Sequence, residues 1–294
     1  MRQKKIFIFC VAVLSFLFFI SCKADKKKPE RRNTYSQEFK TDIAWVVLEW
    51  NGKPKYGGWG SAFLADKKSG TFFTNKHVSD KFDSLGKGSQ KIFFNGRVYD
   101  LTVLKTPPLA DVAVVKIDGP FDFSDFPEPA SLAGEKVKKG DKVVVEGFHP
   151  HPYFVRKGNE LEEGYNEKPL SIFKDYYNMG TKNLEKEIEI VFERIDGVVE
   201  EVDVVVPVNL LDGSRGIINR TREIANRYIK IRTDKDHKFS FGGLSGTAVR
   251  NLKRETVGIF TLEFQGEFEM QKDASLEPVF KTTFATPIQA VKLN

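Results

Sequence analysis

The chain has 294 residues, 40% of them hydrophobic and 29% charged, which describes a globular protein with a core well above the marginal size and excludes a disordered chain. The formal net charge of +6 comes partly from residues 1–21, with Arg2, Lys4, Lys5 and no acid; beyond them the 46 basic residues fall to 43 against 40 acidic. That +3 is ordinary, no basic stripe is interleaved with aromatics, and nucleic acid is not an expected partner.

The first element is "MRQKK" followed by the apolar run "IFIFCVAVLSFLFFI" at residues 6–20. Fifteen residues are short for a membrane span and suit the core of a signal peptide. The run closes on "FISC", and Cys22 is followed at once by the polar stretch "KADKKKPERRN". This resembles a bacterial lipoprotein signal. The resemblance implies cleavage between Ser21 and Cys22, a diacylglycerol on Cys22 and export, although Phe19 stands where leucine is usual. Lys23 is not the aspartate that retains some lipoproteins at the inner membrane, so the implied location is the outer membrane or cell surface. An ordinary signal peptide cleaved elsewhere, or an uncleaved anchor, is the alternative. Residues 22–40 lack apolar periodicity and are expected to form a flexible tether. Cys10 and Cys22 are the two cysteines, which leaves neither a disulfide framework nor a thiolate metal site beyond residue 22.

From residue 41 the chain is rich in short β-branched and aromatic runs separated by Gly, Lys, Asp or Pro turns. Strands are expected at 43–50, 59–65, 71–75, within 91–105 and at 111–117. Further strands are expected at 142–148, 187–195, 202–208 and 256–262, with a short helical piece within 210–231. Many strands at this spacing favour a barrel or sandwich over a βαβ sheet.

Three motifs carry chemistry. "GWGSAFLADKKSGTFFTNKHVSD" ends on His77, "PLADVAVVKID" places Asp111 at the head of an apolar strand, and "GGLSGTAV" contains Ser245 between glycines. A serine hydroxyl is a poor nucleophile at neutral pH and needs a base. Histidine is the side chain whose ordinary pKa suits that task, making His77 the candidate base. Asp111 would hold the imidazole in the required tautomer. The N–H groups of Gly243 and Ser245 would form an oxyanion hole, glycine permitting an approach that a Cβ would block. Taken singly, each has a plain structural reading: a surface or packed histidine, a turn-capping aspartate, a turn serine. Their joint order and context favour the chemical one. His149, His151 and His237 read as loop residues, and "HPH" lacks a nearby carboxylate pair, so no metal site is expected.

The order His, Asp, Ser and the contexts "GSAFLADKKSGTFFTNKHV" and "ADVAVVKI" resemble the trypsin-like (chymotrypsin-fold) serine peptidases, especially their HtrA-type branch. "GDKVVVEGFHP" resembles the strand that opens that family's second barrel, "IRTD" the segment upstream of its serine, and "FATPIQAV" its closing strand and terminal helix. The resemblance covers most of residues 41–294. It implies an all-β fold of two six-stranded antiparallel β-barrels with a C-terminal helical turn. Barrel one would occupy about 41–135 and barrel two about 136–294, with an insertion within 151–230. The implied activity is that of a serine endopeptidase with His77, Asp111 and Ser245 as triad, protein or peptide substrates and no cofactor. The rival is a protease-like surface binding or adhesion lipoprotein without activity, and a weaker one is an esterase on the same triad.

Two departures stand in the serine motif. Leu244 replaces an acid or amide, and Thr247 replaces a second glycine. In classical members that acid pairs with a freed N-terminus, which a lipidated one would not supply. The specificity pocket is expected around Phe239 and Gly258, and Phe239 argues against a preference for Lys or Arg.

Overall fold

The computed structural model describes residues 41–50, 53–80, 88–95, 97–107, 110–122, 124, 126–152, 188–205, 227–237, 240–263, 267–270 and 276–291. Cys22, the tether 22–40 and Phe239 lie outside them. Six strands close the first barrel: β1 (Ile43–Trp50), β2 (Lys53–Asp66), β3 (Thr71–Thr74), β4 (Gly88–Phe94), β5 (Arg97–Lys105) and β6 (Ala113–Asp118). Their order around the ring is β1-β2-β3-β6-β5-β4, all antiparallel, with β4 returning to β1. A five-residue helix, α1 (Lys76–Asp80), follows β3.

The second barrel is built from β7 (Lys142–Pro152), β8 (Ile188–Val204), β9 (Tyr228–His237), β10 (Ala248–Asn251), β11 (Thr256–Glu263) and β13 (Leu276–Pro287). Its ring runs β7-β8-β9-β13-β11-β10 and closes where β10 pairs β7; β12 (Glu267–Met270) hairpins onto β13 outside the ring. A 3-10 turn at Ile288–Val291 follows. The fold is therefore two closed six-stranded antiparallel barrels with a short helical turn near the end.

Period-two alternation explains how "IAWVVL" can be buried on both faces. Ala44, Val46 and Leu48 point into barrel one with Phe72, Ile92 and Val115, while Ile43, Trp45 and Val47 point into a second cluster between the barrels. That interbarrel cluster also takes Phe63 and Phe93 from barrel one, and Phe148, Ile190, Ala248 and Ile259 from barrel two. Trp45 is fully buried there, stacked on Trp59 and edge-on to Phe148. Burying a side chain of that size is worth roughly 3 kcal/mol or more. A third cluster fills barrel two with Val143, Val145, Ile231, Leu244, Val249 and Phe260.

Several elements differ from the sequence expectation. The run at 91–105 is a hairpin, β4 and β5, turning at Asn95, whose φ of 50° is the left-handed conformation asparagine tolerates. The expected strands at 187–195 and 202–208 are joined through the charged segment between them, in that β8 runs unbroken from Ile188 to Val204 with register shifts between Val199 and Glu201 and between Glu201 and Val204; residues 206–208 lie outside the described residues. The expected helical piece ends in a strand, because Tyr228–Ile231 belongs to β9; residues 210–226 lie outside the described residues. His149, His151 and His237 are not loop residues: all three are in strands, and His149 and His237 are buried. β7 pairs β8 along its whole length but β10 only up to Val145, so its later part is edge-like and tolerates Pro150 and Pro152.

Candidate active site

His77 sits in α1, one residue past the start of the helix, with Asn75 immediately before it. Asp111 immediately precedes the buried Val112, which packs into the interbarrel cluster and leads into β6. Its carboxylate meets His77 twice. Asp111 Oδ1 accepts the His77 backbone N–H at 2.9 Å, and Oδ2 lies 2.6 Å from His77 Nδ1. The first contact satisfies one of the N–H groups that a helix start leaves unpaired. The second places the ring proton on Nδ1 and leaves Nε2 as the acceptor facing away from the carboxylate. Asp111 is nearly buried and His77 a quarter exposed, so the pair is rooted in protein and open on one side.

Asn75 was not singled out by the sequence, yet it ties this pair to the rest of the site. It is fully buried, and its Nδ2 donates to the Asp111 carbonyl at 2.9 Å and to Thr261 Oγ1 at 3.2 Å. Thr261 is a hub on β11. Its hydroxyl donates to the Ile259 carbonyl, accepts the Thr286 backbone N–H at 3.1 Å and contacts Thr286 Oγ1 at 2.8 Å. Its carbonyl accepts the Ser245 hydroxyl at 3.3 Å. Asn75 thus links the Asp111 main chain to the Thr261 side chain, and the Thr261 main chain in turn receives Ser245. Among the described residues this is the hydrogen bond of the Ser245 hydroxyl; none joins it to His77.

The turn that carries Ser245 belongs to barrel two but is clipped onto β2 of barrel one. The Ser61 N–H donates to the Ser245 carbonyl at 2.7 Å, and the Ser61 hydroxyl donates to the Gly243 carbonyl at 2.9 Å. The two flanking glycines follow from this closeness. At Gly246, where φ is +96°, a Cβ would lie 1.9 Å from the Ser61 carbonyl oxygen. At Gly243, where φ is +105°, it would lie 2.5 Å from Pro150 Cδ and 3.1 Å from Trp45 Cη2. No other residue type fits either position without moving rigid neighbours.

Backbone donors in the turn divide into two sets. The amides of Leu244, Gly246 and Thr247 donate to the carbonyls of Phe241, Phe260 and Leu244, and Gly242 donates to the Ser240 hydroxyl. Among the described residues, no such internal bond uses the amide of Gly243 or of Ser245. Those are the two donors the sequence proposed for an oxyanion. Leu244 is fully buried in the barrel-two cluster, so an apolar side chain pins the turn at the position where the motif resemblance led to an expected acid or amide. Thr247 is also fully buried, and its hydroxyl donates to the Glu146 carbonyl. Both side chains close over Gly147, where a Cβ would come within 3.0 Å of each.

Gly258 lies within β11, opposite Val249 on β10 and Pro287 on β13, and a Cβ there would face Ala285 and Ile229. It is a residue of the barrel wall. The structure thus brings together His77 and Asp111 by direct contact and Ser245 through Thr261 and Asn75, and sets Gly243 and Ser61 beside them.

Paired closed barrels in this strand order define the trypsin-like serine protease fold. No protein-family profile matches the chain, and no curated protein sequence matches it. Among solved structures it is similar to the crystal structure of Rv3671c protease from M. tuberculosis in its active form, with 17% identity and a TM-score of 0.47 over 86% of this chain and 78% of that one. The inactive form of Rv3671c protease gives 16% identity and a TM-score of 0.45 over 85% of both chains. The crystal structure of Deg5 gives 18% identity and a TM-score of 0.49 over 87% of both.

Proposed function

We propose that this chain is a serine endopeptidase, exported and anchored through a lipid on Cys22, with His77, Asp111 and Ser245 as its triad. The observation that carries the reading is the two-point grip of the Asp111 carboxylate on His77, at 2.9 and 2.6 Å, with Ser245 tied to the same aspartate through Thr261 and Asn75. A histidine oriented in this way offers Nε2 as a base, which is what a serine hydroxyl lacks at neutral pH.

In the reaction, Ser245 Oγ attacks the carbonyl carbon of the scissile peptide while His77 Nε2 takes the hydroxyl proton. The carbonyl oxygen becomes an oxyanion and is met by the amides of Gly243 and Ser245, both unused by the turn's internal bonding. Collapse of the tetrahedral intermediate breaks the C–N bond, and His77 returns the proton to the leaving amine. Water then attacks the acyl-enzyme with the same base, releasing the acid and restoring Ser245. Asp111 holds the ring and stabilises the imidazolium as it forms. Ser245 must first leave the Thr261 carbonyl; the bond is long, and a serine has three staggered χ1 wells, so this rotation is a small cost.

The same bond to Thr261 favours the second reading, a protease-like binding lipoprotein in which the hydroxyl stays parked. Cleavage of casein or of a quenched peptide library separates the two. The peptidase reading expects turnover that falls by at least about 10³-fold in Ser245→Ala and in His77→Ala. Folded wild-type protein with no turnover above those variants contradicts it. The anchor on Cys22 rests on residues 1–22 alone and is checked by palmitate labelling that disappears in Cys22→Ser.

A further inference from the structure

A second imidazole–carboxylate pair lies in barrel two, outside the proposed reaction. His149 on β7 is 0% exposed and Glu193 on β8 is 1% exposed. Gly147 faces Glu193 and His149 faces Val191 across this antiparallel pair, so His149 and Glu193 are diagonal neighbours on one face. His149 Nδ1 lies 2.6 Å from Glu193 Oε2, and Nε2 lies 2.8 Å from the carbonyl oxygen of Ser240. A carbonyl only accepts, so Nε2 carries a hydrogen and donates it; one further proton is held between Nδ1 and the carboxyl group. His237, at the end of β9, faces the other oxygen of Glu193 at 3.9 Å and packs edge-on to Phe241 at 4.7 Å.

Ser240 opens the arm that leads to the nucleophile. Its hydroxyl accepts from Gly242, the Phe241 carbonyl accepts from Leu244, and Gly243 carries one of the two oxyanion donors. Strand β7 therefore touches this arm at both ends. His149 grips the Ser240 carbonyl, and the adjoining Pro150 ring packs where a Cβ of Gly243 would stand. The Phe241 ring between them lies 6.3 Å from the His149 ring.

We infer that His149, with its ring fixed by Glu193, is a positioning residue: it holds the Ser240–Gly243 arm so that the Gly243 amide faces the oxyanion. The inference rests on the peptidase reading of Ser245. It does not require charge on the pair, only that Nε2 donates to Ser240 and that Nδ1 has a partner. Glu193→Gln meets that condition, because the glutamine amide donates to Nδ1 of a neutral imidazole. The double variant His149→Leu/Glu193→Gln removes the grip without leaving a lone buried carboxylate. The pair His149→Gln/Glu193→Gln restores it, one amide donating to Ser240 while its oxygen accepts from the other.

The test measures kcat and KM for a chromogenic peptide, and the rate of Ser245 modification by a fluorophosphonate, on the full chain well below its melting temperature. Glu193→Gln and the glutamine pair are expected within about threefold of wild type. The leucine variant is expected to lose about 10- to 100-fold in kcat and in modification rate, with a smaller change in KM, as for a displaced oxyanion donor. Equal modification rates in wild type and a folded leucine variant overturn the inference and leave the peptidase reading standing. If the leucine variant does not fold, the glutamine pair decides: a wild-type kcat supports the role, and a tenfold loss in folded protein overturns it. A wild type that is not modified at Ser245 removes the peptidase reading and this inference with it.

Discussion

Inside barrel one the core is apolar and aromatic. Phe72 and Phe126 meet the Phe94 ring edge to face at 4.9 Å, and Tyr99 closes on Phe126 at 6.3 Å. Barrel two wraps an aliphatic cluster as well, but it also buries Glu146, His149, Glu193 and Arg250. Arg250 on β10 is 3% exposed and bridges Asp42, just before β1, to Glu146 on β7, which Arg254 also pairs at 3.0 Å. The contrast separates two ways of holding a site. Barrel one presents His77 from α1 and Asp111 from the approach to β6, beside an apolar core, with Asn75 as the buried polar side chain that reaches across to β11. Barrel two presents Ser245 from a turn held by polar partners distant in sequence, and losing one partner there leaves a buried group unpaired.

The largest effect expected from breaking this contrast is at Leu244. Leu244→Asp places a carboxylate in the apolar cluster of barrel two. It should destabilise the protein by at least about 4 kcal/mol, enough to give no cooperative melt, read by circular dichroism. A folded Leu244→Asp variant of unchanged stability would mean that the apolar anchor is not what pins the turn. Arg250→Met comes next. It strips the shared cation from Asp42 and Glu146 and is expected to cost about 3 kcal/mol in urea unfolding, tempered because Arg254 and Arg194 still face Glu146.

Thr261→Val tests the link between the barrels more gently. It removes the hydroxyl that receives Asn75, so stability should fall by about 1–2 kcal/mol while kcat falls further than this loss explains. Equal activity per folded molecule would show that the link from Asp111 to Ser245 is only structural. The smallest effect is expected in the β2–β3 turn. The Ser69 hydroxyl, with the Lys68 and Ser69 amides, holds the exposed Asp66 carboxyl below its ordinary value. A depressed carboxylate adds stability above its unfolded pKa and loses it as pH falls through the folded one. Ser69→Ala should therefore move the Asp66 titration upward by NMR, with no change in activity.

Much of the fold is legible in the sequence where strands are apolar. "IAWVVL" and "KVVVEGF" read as strands because both faces are buried. β9, with "YIKIRTDKDH", and β10, with "AVRN", are harder to read, since their charged residues make strands only once neighbours on both sides accept their hydrogen bonds. The middle of β8 is hidden in the same way by "DGVVEEVD". At the candidate site, His77, Asp111, Ser245 and Gly243 stand out because their chemistry is scarce and their spacing ordered. Asn75, Thr261, Ser61 and the His149–Glu193 pair do not, because their meaning lies in partners 36 to 186 residues away. Leu244 was legible as a departure but not as an anchor, since the cluster receiving it is assembled from distant strands.

The central claim is that the Asp111-oriented His77 activates Ser245. Intact-mass analysis of the folded protein after exposure to a fluorophosphonate, followed by peptide mapping, tests it most directly. One adduct per chain is expected, on Ser245, formed at a rate that collapses in His77→Ala and falls in Asp111→Asn. No adduct on folded wild-type protein, or an adduct on Ser245 whose rate is indifferent to His77, would contradict it.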